Sequence, residues 1–211
     1  MQREPLRETI RRALTDRIVS GELASGDPIR LVATAEELGV SVTPLRESLV
    51  QLEIDRFVDS SPGRGYSVAA MTVLEVEEVY PLIWTLEALA LRLAPPTPEQ
   101  RTLLSELNGR FRACEDPSEA HDLDREWHRM LLSQCQNQTL LEFLSLLKRR
   151  GARYEVAFMS EMQRARSSRS ADQHDEIVAC LESGDHDRAV TVLEQNWQLG
   201  PSVLLPWLAA R

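Results

Sequence analysis

Lysine is almost missing from this sequence: of its 24 basic residues only Lys148 is a lysine, and the others are arginines. The three cysteines, Cys114, Cys135 and Cys180, are odd in number and form no CxxC pair, which argues against a disulfide framework and a thiolate metal site. No apolar run approaches the roughly 18 to 20 residues of a membrane span, and no signal peptide follows Met1. We therefore expect a folded protein of the cytoplasm that does not insert into membranes.

The sequence also lacks the short motifs of common enzyme classes. It contains no GxSxG, P-loop or HExxH motif, no repeated ExxH carboxylate set, and no clear pairing of a nucleophile with a base. A helical enzyme using a metal at Asp124 and His128 stays as a rival interpretation. Loss of turnover in a His128 variant, together with no affinity for DNA, would favour that rival.

The formal net charge of −9 argues at first against a nucleic-acid partner, because phosphate binding needs positive potential. The acidic excess is uneven, however. Residues 1–72 contain nine arginines against eleven acidic residues and carry a net charge of only −2, whereas the rest of the chain carries −7. Since local placement of charge decides DNA binding, the overall sum does not exclude it.

The first third of the chain has the pattern of a winged helix-turn-helix. Apolar residues recur every fourth position from Leu6 to Ile18, which predicts a helix that Gly21 ends. A short strand at 29–31, a helix at 33–38 and a helix over 43–52 follow, and two β-prone runs in 57–68 flank a Pro-Gly-Arg-Gly tip. We assign residues 1–72 to a DNA-binding domain.

In a helix-turn-helix, the beginning of the second helix enters the DNA groove. Ser41 or Thr43 can cap that helix here, and Pro44 lies in its first turn, where no N–H bond is lost. Arg46 is the expected base or phosphate contact, and the wing can bring Arg64 to a minor groove or a phosphate. The predicted DNA-binding residues are Ser41, Val42, Thr43, Pro44, Arg46, Gly63 and Arg64.

Beyond residue 72 the strand signal disappears. Helices are predicted over 73–94, 97–114, 118–135, 137–160, 168–183 and 185–199, with Pro95-Pro96, Pro117, Asn137, a Ser/Arg-rich stretch at 166–170 and Gly184 as breaks. We therefore expect residues 73–211 to form an antiparallel all-α bundle, which makes the whole chain mainly α.

These residues resemble a known family. The runs Gly21-x-Leu-x-x-Gly26, Leu38-Gly-Val-Ser-x-Thr-Pro-Leu-Arg-Glu-Ser-Leu49 and Gly63-x-Gly65 are similar to the GntR family of bacterial repressors, and the helical part is similar to its FadR-like subgroup with an FCD ligand-binding domain. The resemblance implies a homodimer on a palindromic double-stranded DNA operator, released or altered by a small-molecule effector.

The chain departs from that family pattern at Val42, where the family usually has an arginine. A base-contacting guanidinium is therefore missing, and an apolar side chain could meet a thymine methyl group instead. We expect an operator different from the one common in the subgroup. A helical adaptor that no longer binds DNA is the other alternative, and Val42 is its only support.

Asp124 and His128 lie four residues apart on one predicted helix, so both side chains can share an ion. The resemblance implies a divalent metal held by this pair, by His174 and by a third histidine, whose position is taken here by Asn196. Zinc, nickel and manganese are candidates, although the neutral Asn oxygen suits harder ions better. There are two alternatives. The residues could form a metal-free pocket that binds the effector directly, or they could be polar residues with a purely structural role.

The effector pocket of the subgroup usually has an arginine suited to a carboxylate, in a Tyr-x-x-Arg-x-x-Leu-Glu pattern. Here Ile83 replaces it. If the effector is an organic acid, Arg150 or Arg153 must supply the positive charge. Otherwise the effector is more apolar than the small acids usual for the subgroup.

Overall fold

The computed structural model describes the backbone of residues 6–210, and the side chains of this range except for residues 156–167. The chain divides into two compact units. The first comprises Met1–Thr72 together with Ala152–Ala157, and the second comprises Val73–Gly151 and Phe158–Arg211.

The first unit is a winged helix-turn-helix, as the sequence predicts. Its elements are α1 (Leu6–Val19), β1 (Pro28–Ile29), α2 (Leu31–Glu37), α3 (Val42–Ile54), β2 (Val58–Ser61) and β3 (Gly65–Val68). Both α1 and α2 pack against α3. The three strands form an antiparallel sheet in the order β1-β3-β2, in which Ile29 lies opposite Tyr66 and Val58 opposite Val68.

The turn between α2 and α3 is fixed by a complete helix-ending motif. Gly39 adopts a left-handed φ of 65°, its N–H donates to the carbonyl of Glu36 (3.1 Å), and the N–H of Val40 donates to the carbonyl of Ala35 (2.9 Å). These two bonds satisfy carbonyls that the end of α2 would leave open. The motif sets the direction in which the chain enters α3.

The second unit is all-helical. It contains α4 (Val73–Leu93), α5 (Pro98–Ala113), α6 (Pro117–Leu131), α8 (His186–Ala209) and α7 (Gln138–Ser183), except for the stretch of α7 that belongs to the first unit. Helix α4 packs against α8, and α5 against α6. Its core includes fully buried Ile83, Leu104, Trp127, Leu131 and Leu193. None of the described helices is both long and apolar enough to cross a membrane.

The starts of these helices follow ordinary capping chemistry. Thr97 and Gln100 form a reciprocal capping box at the start of α5. Asp116, Asn137 and Asp185 accept a backbone N–H at the starts of α6, α7 and α8. These caps satisfy N–H groups that the first turns leave open.

Four predicted boundaries are wrong. Helix α6 ends at Leu131 rather than at residue 135, because the chain turns at residues 132–134. The predicted break at 166–170 does not exist, because α7 is continuous from Gln138 to Ser183; that stretch contains neither proline nor glycine, and serine alone weakens a helix only slightly. Helix α8 does not end at residue 199 but continues through Pro201 and Pro206, where burial of Leu204 supports it. The strand predicted at 29–31 covers only Pro28–Ile29, since α2 begins at Leu31.

Candidate nucleic-acid interface and metal centre

One face of α3 points to solvent. Leu45 is fully buried beneath the helix, whereas Thr43 and Arg46 are exposed and Val42 and Pro44 are half-buried. The exposed residue Ser41 occupies the N-cap position with an extended backbone, but its side chain makes no capping hydrogen bond. The predicted capping role of Ser41 is therefore not seen, and the first turn of α3 is open to solvent.

The wing ends in a tight turn that presents an arginine. The N–H of Arg64 donates to the carbonyl of Ser61 (3.0 Å), Pro62 is the second residue of this turn, and Gly63 is the third with φ 78°. This is the geometry of a type II turn, which favours proline and glycine at these two positions. Gly65 is also left-handed (φ 79°), so the side chain of Arg64 stands exposed between two glycines.

The first unit contains both paired and unpaired arginines. Arg11 lies 3.3 Å from Asp55, and Arg17 contacts two glutamates, so these guanidiniums connect its elements. Arg46 and Arg64, in contrast, are exposed and form no ion pair with any residue that the structure describes, and the same holds for Arg30 and Arg56. Their positive charge is available to an external anion.

In the second unit, three helices bring four polar side chains together. Asp124 and His128 come from α6, His174 from α7 and Asn196 from α8. One ligand atom from each of Asp124, His128 and His174 can be chosen so that all three lie within 4.8 Å of one another. His174 Nε2 is 3.7 Å from Asp124 Oδ1, and His128 Nε2 is 3.2 Å from Asn196 Oδ1. Both histidines and Asn196 are buried, and Asp124 is half-buried.

The hydrogen-bond network assigns the proton on His174. Asn108 donates its amide N–H groups to the carbonyl of Ala171 (2.9 Å) and to Asp175 (2.6 Å), so its Oδ1 is an acceptor. That oxygen lies 3.0 Å from His174 Nδ1, which must therefore carry the proton. The lone pair of a neutral His174 is then on Nε2, the atom that faces Asp124.

The orientation of Asn196 follows from the same reasoning. Its amide nitrogen donates to Ser170 Oγ (2.9 Å) and to Gln173 Oε1 (3.2 Å). The atom that it turns to His128 Nε2 is consequently the carbonyl oxygen. Ser170 Oγ also lies 3.1 Å from Asp124 Oδ1, so this serine connects two members of the cluster.

His128 is held from behind by Glu87 of α4, which is completely buried. Glu87 Oε2 lies 2.9 Å from His128 Nδ1 and accepts the indole N–H of Trp197 (2.6 Å), and Oε1 forms an ion pair with Lys148. Burial raises the pKa of Glu87, but the charge of Lys148 and the hydrogen bond with His128 outweigh burial and bring the pKa down to about 2. Glu87 is therefore a carboxylate.

This donor set fits a divalent metal ion. Two imidazole rings, one carboxylate and one amide oxygen converge, and in a neutral His128 with its proton on Nδ1 the Nε2 lone pair faces the Asn196 Oδ1 atom 3.2 Å away. A cation between such atoms would satisfy both, since imidazole and carboxylate are ordinary ligands of zinc, nickel and manganese. Each histidine also gives its Nδ1–H to an oxygen behind it, as metal-bound histidines usually do.

An aromatic ring covers one side of the cluster. The ring of Trp127 stacks on the ring of His174, with centroids 3.7 Å apart and planes 6° from parallel. The indole N–H of Trp127 is completely buried and has no acceptor among the residues that the structure describes. An acceptor on a bound ligand or a water would remove the cost of leaving this donor unpaired.

The residues predicted to line the effector pocket have other neighbours. Ile83 is fully buried, and a methyl group placed on Gly151 would lie only 3.4 Å from its Cδ1 atom. Arg150 donates through Nε (2.9 Å) and Nη2 (2.8 Å) to Glu75. Arg153 is in the first unit, where it donates to a backbone carbonyl. Both guanidiniums are thus engaged by protein groups, and a role in binding an acid stays a prediction.

Comparison with known proteins identifies both units. Residues 6–68 match the gntR family of bacterial regulatory proteins, and residues 78–198 match the FCD domain. The chain belongs to the GntR family of regulators that carry an FCD domain. The first unit, which is the DNA-binding part, is called the GntR domain, and the second unit, which is the ligand-binding part, is called the FCD domain.

Relatives of similar length are transcriptional regulators. The chain is 26% identical over 206 residues to the "Probable D-xylose utilization operon transcriptional repressor" of Paenarthrobacter nicotinovorans, covering 93% of this chain and 87% of the relative. It is 25% identical over 197 residues to the transcriptional repressor GlaR of Escherichia coli, covering 88% and 89%. These relatives support a regulatory rather than an enzymatic role.

Solved structures show the same fold. Escherichia coli McbR/YncC aligns with a TM-score of 0.74 at 19% identity, covering 97% of this chain and 99% of that one. A GntR-family transcriptional regulator from Pseudomonas syringae aligns with a TM-score of 0.57 at 24% identity, covering 97% and 86%.

Sequence reasoning missed most of the groups that surround the histidines of the FCD domain. These are Glu87, Asn108, Lys148, Ser170, Gln173 and Trp197. Glu87 carries a usable signal, because it is a carboxylate four residues after Ile83, within the buried stripe of α4. Ser170 was hidden by the wrongly predicted helix break, although it stands four residues before His174 and thus on the same face.

Proposed function

We propose that this GntR-family protein binds a palindromic double-stranded DNA operator as a homodimer and represses transcription, and that a small-molecule effector in the FCD domain releases or alters that binding. The DNA-binding part of the proposal rests on two exposed arginines without a carboxylate partner: Arg46 near the beginning of α3 and Arg64 at the tip of the wing. Two relatives named as repressors support the direction of regulation. Such a protein acts in the cytoplasm, where the bacterial chromosome lies.

In this proposal, the beginning of α3 enters a major groove. Arg46 contacts a guanine edge or a phosphate, while Ser41, Thr43 and Pro44 approach the backbone of the DNA. The half-buried Val42 offers a methyl surface to a thymine in place of the usual arginine. Gly63 lets the wing backbone approach closely, and Arg64 contacts a minor groove or a phosphate.

The homodimer is supported by an apolar stripe on α4. Leu82, Leu89 and Leu93 lie on one face of the helix and are 52%, 44% and 56% exposed. Exposed leucines in a continuous row commonly mark an association surface. A two-fold dimer built on this stripe matches a palindromic operator, because each half-site then receives one GntR domain.

Sedimentation velocity tests the dimer. Leu89→Glu places a charge in the stripe and is expected to shift the protein to monomers, whereas Leu103→Glu changes an equally exposed leucine (48%) on α5 and should leave the dimer intact. Monomeric wild-type protein at micromolar concentration would contradict the dimer.

For the FCD domain we propose a divalent metal held by Asp124, His128, His174 and Asn196, with zinc, nickel and manganese as candidates. The ion would offer a positive site to the oxygen atoms of an organic acid. This is consistent with the pairing of Arg150 with Glu75, which neutralises that guanidinium. Elemental analysis of tag-free protein purified without chelators is expected to find close to one ion per chain.

The effector acts through its preference between two arrangements of the protein, since a ligand shifts an equilibrium only by its difference in affinity for the two states. A mobility-shift assay with DNA from around the protein's own gene, at low salt, tests the function. We expect a retarded band that the effector weakens or alters. A complete absence of retardation with every upstream fragment would instead support a helical adaptor.

A further inference from the structure

Glu87 is a charged group in a place where charge is costly. It is completely buried in the FCD domain, and burying a carboxylate requires compensation by partners. Three groups contact it: the indole N–H of Trp197 (2.6 Å), the ammonium group of Lys148, and His128 Nδ1 (2.9 Å). The indole and the ammonium group can use the carboxylate only as an acceptor.

The identity of the donors fixes the proton on His128. Lys148 forms an ion pair with Oε1 and the indole N–H of Trp197 donates to Oε2, which is the arrangement of an ionised carboxylate, so neither oxygen of Glu87 carries a proton. Since Oε2 has no proton to give, the 2.9 Å contact to His128 requires the proton to be on His128 Nδ1. In neutral His128 the lone pair is then on Nε2, which points to Asn196.

We propose that Glu87 is a positioning residue for the metal centre: it holds His128 in the Nδ1–H tautomer, so that Nε2 is presented to the ion, and Lys148 balances its charge. This proposal rests on the metal site proposed above. His174 is fixed by a neutral group, the amide oxygen of Asn108. The two histidines of one site are thus oriented by partners of different charge.

The negative charge of Glu87 should affect how tightly His128 binds the metal ion. A carboxylate behind an imidazole makes the ring a stronger metal ligand than a neutral carbonyl does, and loss of such a partner typically costs about 10- to 100-fold in metal affinity. Lys148 is the only lysine of the chain and also lies 5.5 Å from the ring centroid of Trp197. It stabilises the carboxylate through their ion pair, and among the described residues no hydrogen bond or ion pair joins it to a proposed ligand.

Zinc titration against a chromophoric chelator tests the proposal with two matched variants. Glu87→Gln keeps the size of the side chain but leaves one carbonyl oxygen for three donors, so we expect zinc binding to weaken by about 10- to 100-fold. Glu75→Gln is the control. It makes the same change on the same helix, about 18 Å earlier along the axis, in a glutamate that is paired with Arg150. Its zinc affinity should equal that of the wild type.

A second measurement needs no variant that might lose its fold. Long-range proton–nitrogen NMR spectra of the zinc-loaded wild-type protein should show His128 with a protonated Nδ1 and a metal-bound Nε2, its signals being identified by their loss in His128→Gln. A metal-bound Nδ1, or unchanged zinc affinity in folded Glu87→Gln, would overturn the positioning role and leave the metal site standing. Absence of zinc binding by the wild type would overturn both.

Discussion

The two parts of the molecule use polar side chains in opposite ways. In the GntR domain the candidate functional residues, Arg46 and Arg64, are exposed and unpaired among the described residues, and each follows a local sequence signal. In the FCD domain the candidate residues are buried and bonded to several partners, and they come from helices far apart in the chain. A surface that meets DNA can be built locally, whereas an interior site requires tertiary packing.

This difference teaches which substitutions each region tolerates. A surface arginine can be removed without leaving a buried partner unpaired, so its loss should affect binding alone. Removing one member of the buried cluster leaves its neighbours without partners, which costs stability as well as function. Measuring binding and stability on the same variant separates these two outcomes.

The largest effect is expected from His174→Ala. The substitution removes a proposed zinc ligand. Loss of a residue that only hydrogen-bonds to a ligand lowers metal affinity by up to roughly 100-fold, so the loss of zinc affinity measured by calorimetry should be larger than that. His186→Ala changes an exposed histidine outside the cluster and serves as the control. Equal zinc affinity in all three proteins would place the metal elsewhere.

Arg64→Ala in the wing should weaken operator binding without affecting the thermal stability of the protein. Loss of one phosphate contact reduces the slope of log affinity against log salt by about 1. The control is Arg110→Ala, which removes an exposed arginine from α5. If the slope of log affinity against log salt were the same in both variants and the wild type, the wing would not contact DNA.

Asn196→His should strengthen the binding of zinc or nickel. The substitution replaces a neutral oxygen by an imidazole nitrogen, a better ligand for these ions, and we expect a gain on the order of tenfold, or about 1.4 kcal/mol. Manganese, a harder ion, should gain less. If zinc bound no more tightly, Asn196 would not be a ligand position.

The smallest effect concerns two helix ends with the same hydrogen bonds. Arg56, two residues after the end of α3, has a left-handed φ of 64°, and the N–H of the next residue, Phe57, donates to the carbonyl of Leu52 (2.8 Å). Gly39 holds the same position after α2. Arg56→Gly should stabilise the protein by up to about 1 kcal/mol, because a side chain is strained in this conformation.

Gly39→Ala makes the reverse change at the equivalent position after α2, since it adds a side chain to a left-handed residue. It should lower the free energy of unfolding, measured with denaturant, by about 1 kcal/mol. A loss of stability in Arg56→Gly would mean that the arginine side chain contributes more than its backbone costs.

The GntR domain was predictable because its signals are local. Gly39, Pro44 and the Pro-Gly-Arg-Gly tip each impose a backbone geometry that does not depend on distant residues. The same local reasoning failed at 166–170, where a Ser/Arg-rich stretch looks like a linker. Serine weakens a helix only slightly and arginine favours one, so α7 continues through the stretch.

The FCD cluster was only partly predictable. Asp124 and His128 share a helix face, which their spacing of four residues indicates directly. Glu87 and Asn108 have no such spacing relation to the histidines, because their contacts join residues 41 and 66 positions apart. Sequence order cannot give these pairs without the topology of the bundle.

Fluorescence anisotropy with a labelled operator, comparing the wild type with Arg46→Ala, tests most directly whether the first turns of α3 read DNA. We predict that the variant binds more weakly by about 1–3 kcal/mol and loses its preference at one base pair. Equal affinity and equal base preference in the two proteins would contradict the account.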